Sequence, residues 1–345
     1  MDSRYKNILF ESTLRNLLIR HTLSTKSEFR FFDSLFSPKS SVYGSRAALV
    51  LMAERGETTD ELLAAWASIR KTEAKQVFKV EHALDTCGTG GDGSDSINLS
   101  TLSSFVMAAA GVRVIKHGNR AITSRCGSSD LLEAFGFNLN LAPEKVLRSA
   151  AKTGMGYFHA PAIHPVYSQF QPLRRSIKVR TLFNLLGPVL NPVAVDYQIL
   201  GVAKPELVSI YSKLLPEMGR KSALIIQGAN GMDEITSLGI SNGLRLSGKS
   251  AFAWKLNPSD YGFKKGNRSD LKINSISDAK KKAIQILKER KSGAGLDSVI
   301  LSAACGIWIS GKAKNLTEGV TLAKQVLHHN KAWMVLNQLI EFSKL

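Results

Sequence analysis

Cysteine is scarce. Cys87, Cys126 and Cys305 are the only three in 345 residues, widely scattered, with no C-x-x-C pair and no zinc-ligand spacing. This excludes a disulfide-stapled scaffold and a structural zinc site, and makes a reducing cytoplasm the expected home. Long apolar runs are missing too. The longest, around Phe105–Val112 and Val299–Ile307, fall well short of the roughly 20 residues needed to cross a bilayer. The opening MDSRYKNILFESTLRN carries acidic residues early and no unbroken apolar core, so it does not read as a secretory signal. Neither an internal repeat nor a low-complexity tract is visible. Acidic residues are few, 28 against 46 basic, for a net charge of +18. Much of the excess sits in residues 255–291, where eleven Lys and Arg face four Asp and Glu. Such a run is expected to form a solvated, basic helix face. Attraction of nucleic acid is only a weak consequence of the charge, because no interleaved aromatics or zinc-finger pattern accompany it.

What is present reads as a globular chain with a real core, 44% hydrophobic and 21% charged, and long enough for two domains. Residues 1–75 carry only helical signals: Leu9, Leu14, Leu17 and Leu18, then Ala47, Ala48 and Leu51. Gly56-Glu57-Thr58-Thr59 interrupts them, and Thr59 is expected to cap a helix over Asp60–Arg70. From about residue 80 the period changes. A short run ending Ala83-Leu84 enters a glycine loop. Leu102, Phe105, Val106, Ala109 and Ala110 then mark a helix that Gly111 ends, and Val112–Ile115 is a compact strand. Strand, loop, helix, strand implies a parallel sheet covered by helices. Helices over Asp130–Phe135 and Pro143–Lys152 and strands near Gln198–Val202 and Ala223–Gln227 continue the alternation, and the C-terminus is helical again.

The glycine loop, DTCGTGGDGSDSINLST over residues 85–101, satisfies G-x-G-x-x-G at Gly88, Gly90 and Gly93. A dinucleotide loop needs a helix starting within the motif and an acidic residue about 20 positions later. Here polar residues run on from Ser94 to Ser100, and no Asp or Glu occurs between Asp95 and Asp130. A P-loop also fails, since no Lys-[Ser/Thr] follows the glycines. What remains suits an anion: glycines that let backbone N–H groups approach closely, with Asn98, Ser100 and Thr101 at a helix start. The next strand ends in KHGNRAITSRCGSSD, residues 116–130, which brings Lys116, His117, Asn119, Arg120 and Arg125 to the same edge of a parallel sheet. Two adjacent anion-binding loops suit a ligand with separated phosphates. The strand Ala223–Gln227 runs into GANGMDEI and places Asp233-Glu234 at that edge as well. An acidic pair facing phosphates requires divalent cations between them, and Mg²⁺ commonly binds through one or two carboxylates plus phosphate oxygens.

These motifs, GTGGDG, INLST, KHGNR, CGSSDLLEAFG, the His-Pro of AIHPVY, RTLFNLLGPVLNP and GMDE, occur in the order and at the spacing of the anthranilate phosphoribosyltransferases of tryptophan biosynthesis, which the sequence resembles across nearly its whole length. The resemblance implies transfer of the phosphoribosyl group of 5-phosphoribosyl-1-diphosphate (PRPP) to the amine of anthranilate, releasing pyrophosphate. It implies an α/β fold of the nucleoside phosphorylase/phosphoribosyltransferase type: a small N-terminal helical domain over 1–75, completed by helices around 165–190, and an α/β domain over 76–345. In that domain a mostly parallel central sheet is covered by helices. PRPP is then expected on Gly88, Gly91, Asp92 and Ser96 and on Asn98, Leu99, Ser100 and Thr101 of the first loop. Lys116, His117, Gly118, Asn119, Arg120, Ser124 and Ser128 of the second loop are expected to join them. Anthranilate is expected on Gly88, Asn119 and Arg174, with the Arg174 fork on its carboxylate and His117, His164 and Pro188 along its path. Ser100, Asp233 and Glu234 are expected to hold Mg²⁺, two ions per active site, and the helical domain to form a homodimer. No obligatory acid or base is implied, because an aromatic amine is neutral at pH 7 and needs positioning. Three positions depart from the family pattern: Lys178 stands where Gly is usual, His159 where a large apolar residue is usual, and Cys126 where Ser is common. The readings set against this one are a PRPP-dependent transferase for another aromatic acceptor, a nucleoside phosphorylase, and a non-enzymatic nucleic-acid-binding relative.

Overall fold

The computed structural model describes residues 3–18, 25–37, 40–73, 77–121, 124–177 and 179–345, with the side chains of 3–10 and 25–28 left aside; Ile122, Thr123 and Lys178 lie outside the described residues. The chain divides into two compact units. One comprises Met1–Val77 with His164–Leu190, the other Phe78–Ile163 with Asn191–Leu345.

The first unit is helical: α1 (Ser3–Leu18), α2 (Thr25–Leu35), α3 (Val42–Arg55) and α4 (Thr59–Thr72), with later helices over Pro165–Ile177 and Leu182–Leu186. The cap of α4 is Thr58, not Thr59. Thr58 is extended, its hydroxyl accepts the Glu61 N–H at 3.2 Å, and the Glu61 carboxylate accepts the Thr58 N–H at 3.0 Å, so Thr59 is already the first helical residue. The core of this unit is aromatic. Phe36, Phe170 and Phe183 meet with ring centroids 5.0–5.8 Å apart, a packing that adds specific geometry to the burial of large apolar area.

The second unit holds a seven-stranded sheet: β1 (Ala83–Gly88), β2 (Arg113–Gly118), β3 (Met155–His159), β4 (Tyr197–Gly201), β5 (Ser222–Gln227), β6 (Ser241–Ser247) and β7 (Ser250–Leu256). The spatial order is β3-β2-β1-β4-β5-β6-β7, with the first five strands parallel and the last two antiparallel. The crossovers between β1 and β3 run to one side of β1 and the later strands lie on the other. The crevice at the C-terminal ends of β1 and β4 is therefore the switch point at which parallel sheets bind ligands. Helices α5 (Leu99–Ala109), α6 (Ser128–Ala134) and α7 (Pro143–Thr153) follow β1 and β2. Helix α5 starts at Leu99, earlier than apolar periodicity indicates, so Ser100 and Thr101 already lie in its first turn.

Strand β3 and the β6–β7 hairpin are strands beyond those expected from the sequence. Four of the five β3 residues are buried, so neither alternation nor an exposed face marks it. The hairpin is mostly half-exposed or exposed and pairs through its backbone. The basic segment also differs from a simple solvated face. Only Ile276–Leu287 forms a long helix within it. Lys280 donates to the Ala134 carbonyl at 2.7 Å and lies over the Phe135 ring, while Lys282 donates to the carbonyls of Asp270 and Lys272. These ammonium groups tie carbonyl oxygens together within the fold. No helix among the described residues is long and apolar enough to cross a membrane.

Candidate active site

Three loops meet at the C-terminal edge of the sheet. The first leaves β1 through Gly90, Gly91 and Gly93, all at positive φ, the backbone region that glycine adopts without penalty. Its N–H groups are held by the acidic pair: Gly90 N–H donates to Asp233 Oδ2 at 2.6 Å, and Ser100 N–H, in the first turn of α5, donates to Glu234 Oε1 at 2.9 Å. Thus one carboxylate sits on the glycine loop and the other on a helix N-terminus, where the dipole favours negative charge.

Burial nevertheless works against ionisation. It pushes Asp233 up to about 7, with the nearby Asp92 carboxyl adding to the shift, and Glu234 up to about 8, with Asp233 adding to it. Asp92 Oδ1 accepts the Ser94 N–H, whereas Asp92 Oδ2 is buried and has no donor among the described residues. Asn98 Oδ1 and Thr101 Oγ1 are likewise buried without partners there. Asp233 and Glu234, raised by burial and by neighbouring carboxyl groups, together with Asp92 and the unmatched oxygen acceptors, form a donor set of hard oxygens that fits Mg²⁺. Among the described residues no three His, Cys, Asp or Glu side chains converge as a self-contained metal site, so a cation here draws further ligands from substrate and water.

Positive charge enters from below. Lys116, almost fully buried on β2, donates to the Thr86 carbonyl and to Ser100 Oγ at 3.3 Å. Asp85, fully buried on β1, accepts the His117 N–H at 3.4 Å, and its carboxyl is raised by burial and lowered by Lys116. Asp85, at the start of the glycine stretch, is a site residue beyond those the sequence motifs indicate. A carboxylate in an otherwise apolar strand was its only signal.

The second loop is tied to the first. Asn98 Nδ2 donates to the Cys126 carbonyl at 3.0 Å, and Arg125 pairs with Asp95 at 3.6 Å. The Asn119 carbonyl accepts the Ser129 N–H at 3.1 Å, and Gly118 lies against Ser128, where an added Cβ would sit 2.2 Å from Ser128 Oγ. Arg120 is directed instead to Glu133, with bonds of 2.6 and 2.7 Å, and Ser124 is exposed. Within the first loop, Ser96 Oγ accepts from Ser94 Oγ at 2.9 Å, Leu99 is buried and Gly91 is exposed. Cys126 is buried, with its thiol pushed up to about 12, a structural rather than reactive thiol.

Gly201 and Gly228, neither of them expected as site residues, complete this edge beside the expected Gly88. Gly88 and Gly201 are register partners on β1 and β4. A Cβ at Gly88 would lie 2.2 Å from Asp233 Oδ2, and one at Gly201 would lie 1.6 Å from the Asp233 carbonyl oxygen. Gly228 is similarly pressed, a Cβ there falling 2.0 Å from the Glu234 carbonyl oxygen.

The remaining site candidates belong to the helical unit. The Arg174 guanidinium lies over the rings of Tyr167 and Phe183, 5.3 Å from each centroid, and among the described residues no carboxylate pairs with it. His164 is buried with Nδ1 at 2.6 Å from Glu73 Oε2, which gives it a structural partner inside that unit. Pro188 is buried in the short turn Gly187–Val189.

Residues 80–333 match the family described as "Glycosyl transferase family, a/b domain". The chain is 38% identical over 330 residues to the anthranilate phosphoribosyltransferase of Hydrogenovibrio crunogenus, spanning 95% of this chain and 96% of that one. The crystal structure of anthranilate phosphoribosyltransferase from Thermus thermophilus aligns with a TM-score of 0.88 at 35% identity, over 96% of this chain and 99% of that one. The Saccharomyces cerevisiae enzyme, solved in complex with PRPP and Mg, shares the fold with a TM-score of 0.86 at 22% identity, over 97% and 98% of the two chains. On the strength of the near full-length match, this chain belongs to the anthranilate phosphoribosyltransferase family.

Proposed function

We propose that the protein transfers the phosphoribosyl group of PRPP to the amine of anthranilate, forming N-(5-phosphoribosyl)anthranilate and pyrophosphate in tryptophan biosynthesis. The observation that carries this reading is the meeting of two anion-suited loops with a buried acidic pair at the switch point of the sheet, linked by Gly90–Asp233 and Ser100–Glu234 bonds. Breaking the anomeric C–O bond places negative charge on the leaving pyrophosphate and positive character on the ribose. Backbone N–H groups of the glycine loop and of the first turn of α5, together with Lys116 and the second-loop residues Asn119 and Ser128, are assigned to the phosphates. Mg²⁺, two ions per site held from the protein by Ser100, Asp233 and Glu234, supplies charge neutralisation for the diphosphate when bound. The acceptor amine needs no prior deprotonation; orientation is the protein's contribution.

For the acceptor, Arg174 is assigned to the anthranilate carboxylate. Its placement on two aromatic faces supports this, because stacking restricts the fork before the ligand arrives. Arg174→Ala is expected to raise KM for anthranilate by about 10- to 100-fold, the range for loss of a charge-assisted bond. KM for PRPP should change far less, and equal effects on the two substrates would remove the assignment. The function itself is tested by anthranilate fluorescence, which should decay on adding PRPP and only when Mg²⁺ is present. PRPP binding without anthranilate consumption would leave the donor site standing and refute the acceptor. A homodimer through the helical unit is also proposed. It is supported by the exposed Val42, Tyr43 and Val50 on α3, and light scattering should return twice the chain mass.

A further inference from the structure

Strand β3 ends at His159, directly opposite Gly118 in the register. From its imidazole a line of side chains runs to the second loop: His159 Nδ1 to Ser129 Oγ at 2.8 Å, Ser129 Oγ to the Tyr157 hydroxyl at 2.7 Å, and that hydroxyl to Ser128 Oγ at 2.9 Å. Ser129 and Tyr157 are buried, while His159 is half-buried at the outer end. Ser128 Oγ also donates to the Asn119 carbonyl at 3.4 Å.

Each hydroxyl has a single hydrogen, so the direction of one bond dictates the next. With Nδ1 protonated, His159 donates to Ser129, Ser129 to Tyr157, and Tyr157 to Ser128; the Ser128 hydrogen, held only by a long 3.4 Å bond to the Asn119 carbonyl, is then free to turn to an acceptor in the site. With Nδ1 unprotonated, Ser129 donates to the ring, Tyr157 to Ser129 and Ser128 to Tyr157. Ser128 then presents only lone pairs to the site, which repel an anion. We infer that His159 is a positioning residue that sets the donor direction of this relay and thereby the affinity of the second loop for substrate phosphate. The inference rests on the proposed role of Ser128 toward PRPP.

The charged groups facing the ring are Arg120 from the second loop and Asp130 and Glu133 from α6. Burial and Arg120 lower the histidine pKa, while the two carboxylates raise it in opposition. Protonation, which places a hydrogen on Nδ1 and runs the relay outward, is therefore favoured toward acid pH; in the neutral ring, taken as the Nε2–H tautomer, Nδ1 accepts and the relay reverses.

The test compares KM for PRPP and kcat at pH 5.5–8 in wild type, His159→Asn and His159→Phe. Asn places an amide near the Nδ1 position and does not titrate, so its KM provides the reference that cancels titration of the substrate phosphates. The ratio of wild-type to His159→Asn KM is expected to rise about 10-fold with pH, with kcat changing less than about twofold, as befits one hydrogen bond to a charged group. His159→Phe should show the raised KM throughout. A ligand-free readout accompanies this: Tyr157→Phe should shift the ¹⁵N titration of the His159 ring, because it removes the hydroxyl that completes the chain. A flat KM ratio in an enzyme that turns over PRPP, or a ring titration indifferent to Tyr157→Phe, overturns the relay. Absence of PRPP turnover in wild type overturns instead the reading of the site.

Discussion

Replacing Asp233 by Asn together with Glu234 by Gln is expected to lower Mg²⁺-dependent turnover about 1000-fold or more, while leaving the metal-free protein at least as stable as wild type near pH 8. The loss follows from removing both carboxylates assigned to the cation in the proposed function, where mutation of even one electrostatic group commonly costs about 100- to 1000-fold. The retained stability follows from burial. In the folded metal-free protein the two carboxyls are raised to about 7 and about 8, whereas in the unfolded chain they ionise near pH 4. A folded-state pKa above the unfolded one contributes stability that is fully present below about pH 4 and lost as pH rises through about 7 to 8. The melting temperature of metal-free wild type should therefore carry a decline across this window that the double amide variant lacks, and Mg²⁺ should reverse it in wild type only. Calorimetry at pH 6 and 8.5, with and without Mg²⁺, measures both effects. A double variant retaining wild-type turnover would falsify the metal role.

The second large effect is expected at a residue with no side chain. Gly201→Ala places a methyl group 1.6 Å from the Asp233 carbonyl oxygen and 2.5 Å from its carbonyl carbon, distances that oblige the acidic loop to move bodily. Overpacking of this kind costs about 1–3 kcal/mol of stability, and a displacement of about 1 Å in a catalytic group costs about 100-fold in rate. The variant should thus fold, yet show kcat/KM reduced by about 100-fold and weakened Mg²⁺ binding. Gly219→Ala separates displacement from backbone strain. Gly219 has φ +81° and open space around its missing Cβ, so substitution there should cost about 1–2 kcal/mol with turnover preserved. Similar losses of activity in the two variants would show that glycine at 201 serves folding alone.

The two substitutions mark different depths of legibility. Asp233-Glu234 could be found from the sequence because β5 is a strongly apolar, β-branched run and its acidic pair follows after a loop of only five residues, 228–232. The same holds for Lys116, two residues before the end of an equally clear strand. Rejection of the dinucleotide reading also rested on local facts, and α5 indeed begins at Leu99, beyond all three glycines. Gly201 was not legible. Its need for glycine comes from Asp233, thirty-two residues away, and nothing near Gly201 in the chain announces that neighbour. Strand β3 escaped for a related reason: buried on both sides, it lacks the period that reveals a half-exposed strand.

The amino-acid order alone determined the helical start, the parallel α/β alternation, the anion-suited loops and, through its ordered motifs, the family. Each of these depends on residues close together in the chain: caps, periodicity, and loops that directly follow strands. The tertiary structure decided which of those groups meet. Strand order set Gly88 beside Gly201 with Asp233 against both, drew Asp92 toward the acidic pair, and placed His159 at the head of a hydroxyl chain ending on Ser128. Such encounters follow from pairing and packing between distant segments, whose partners are specified by the whole core.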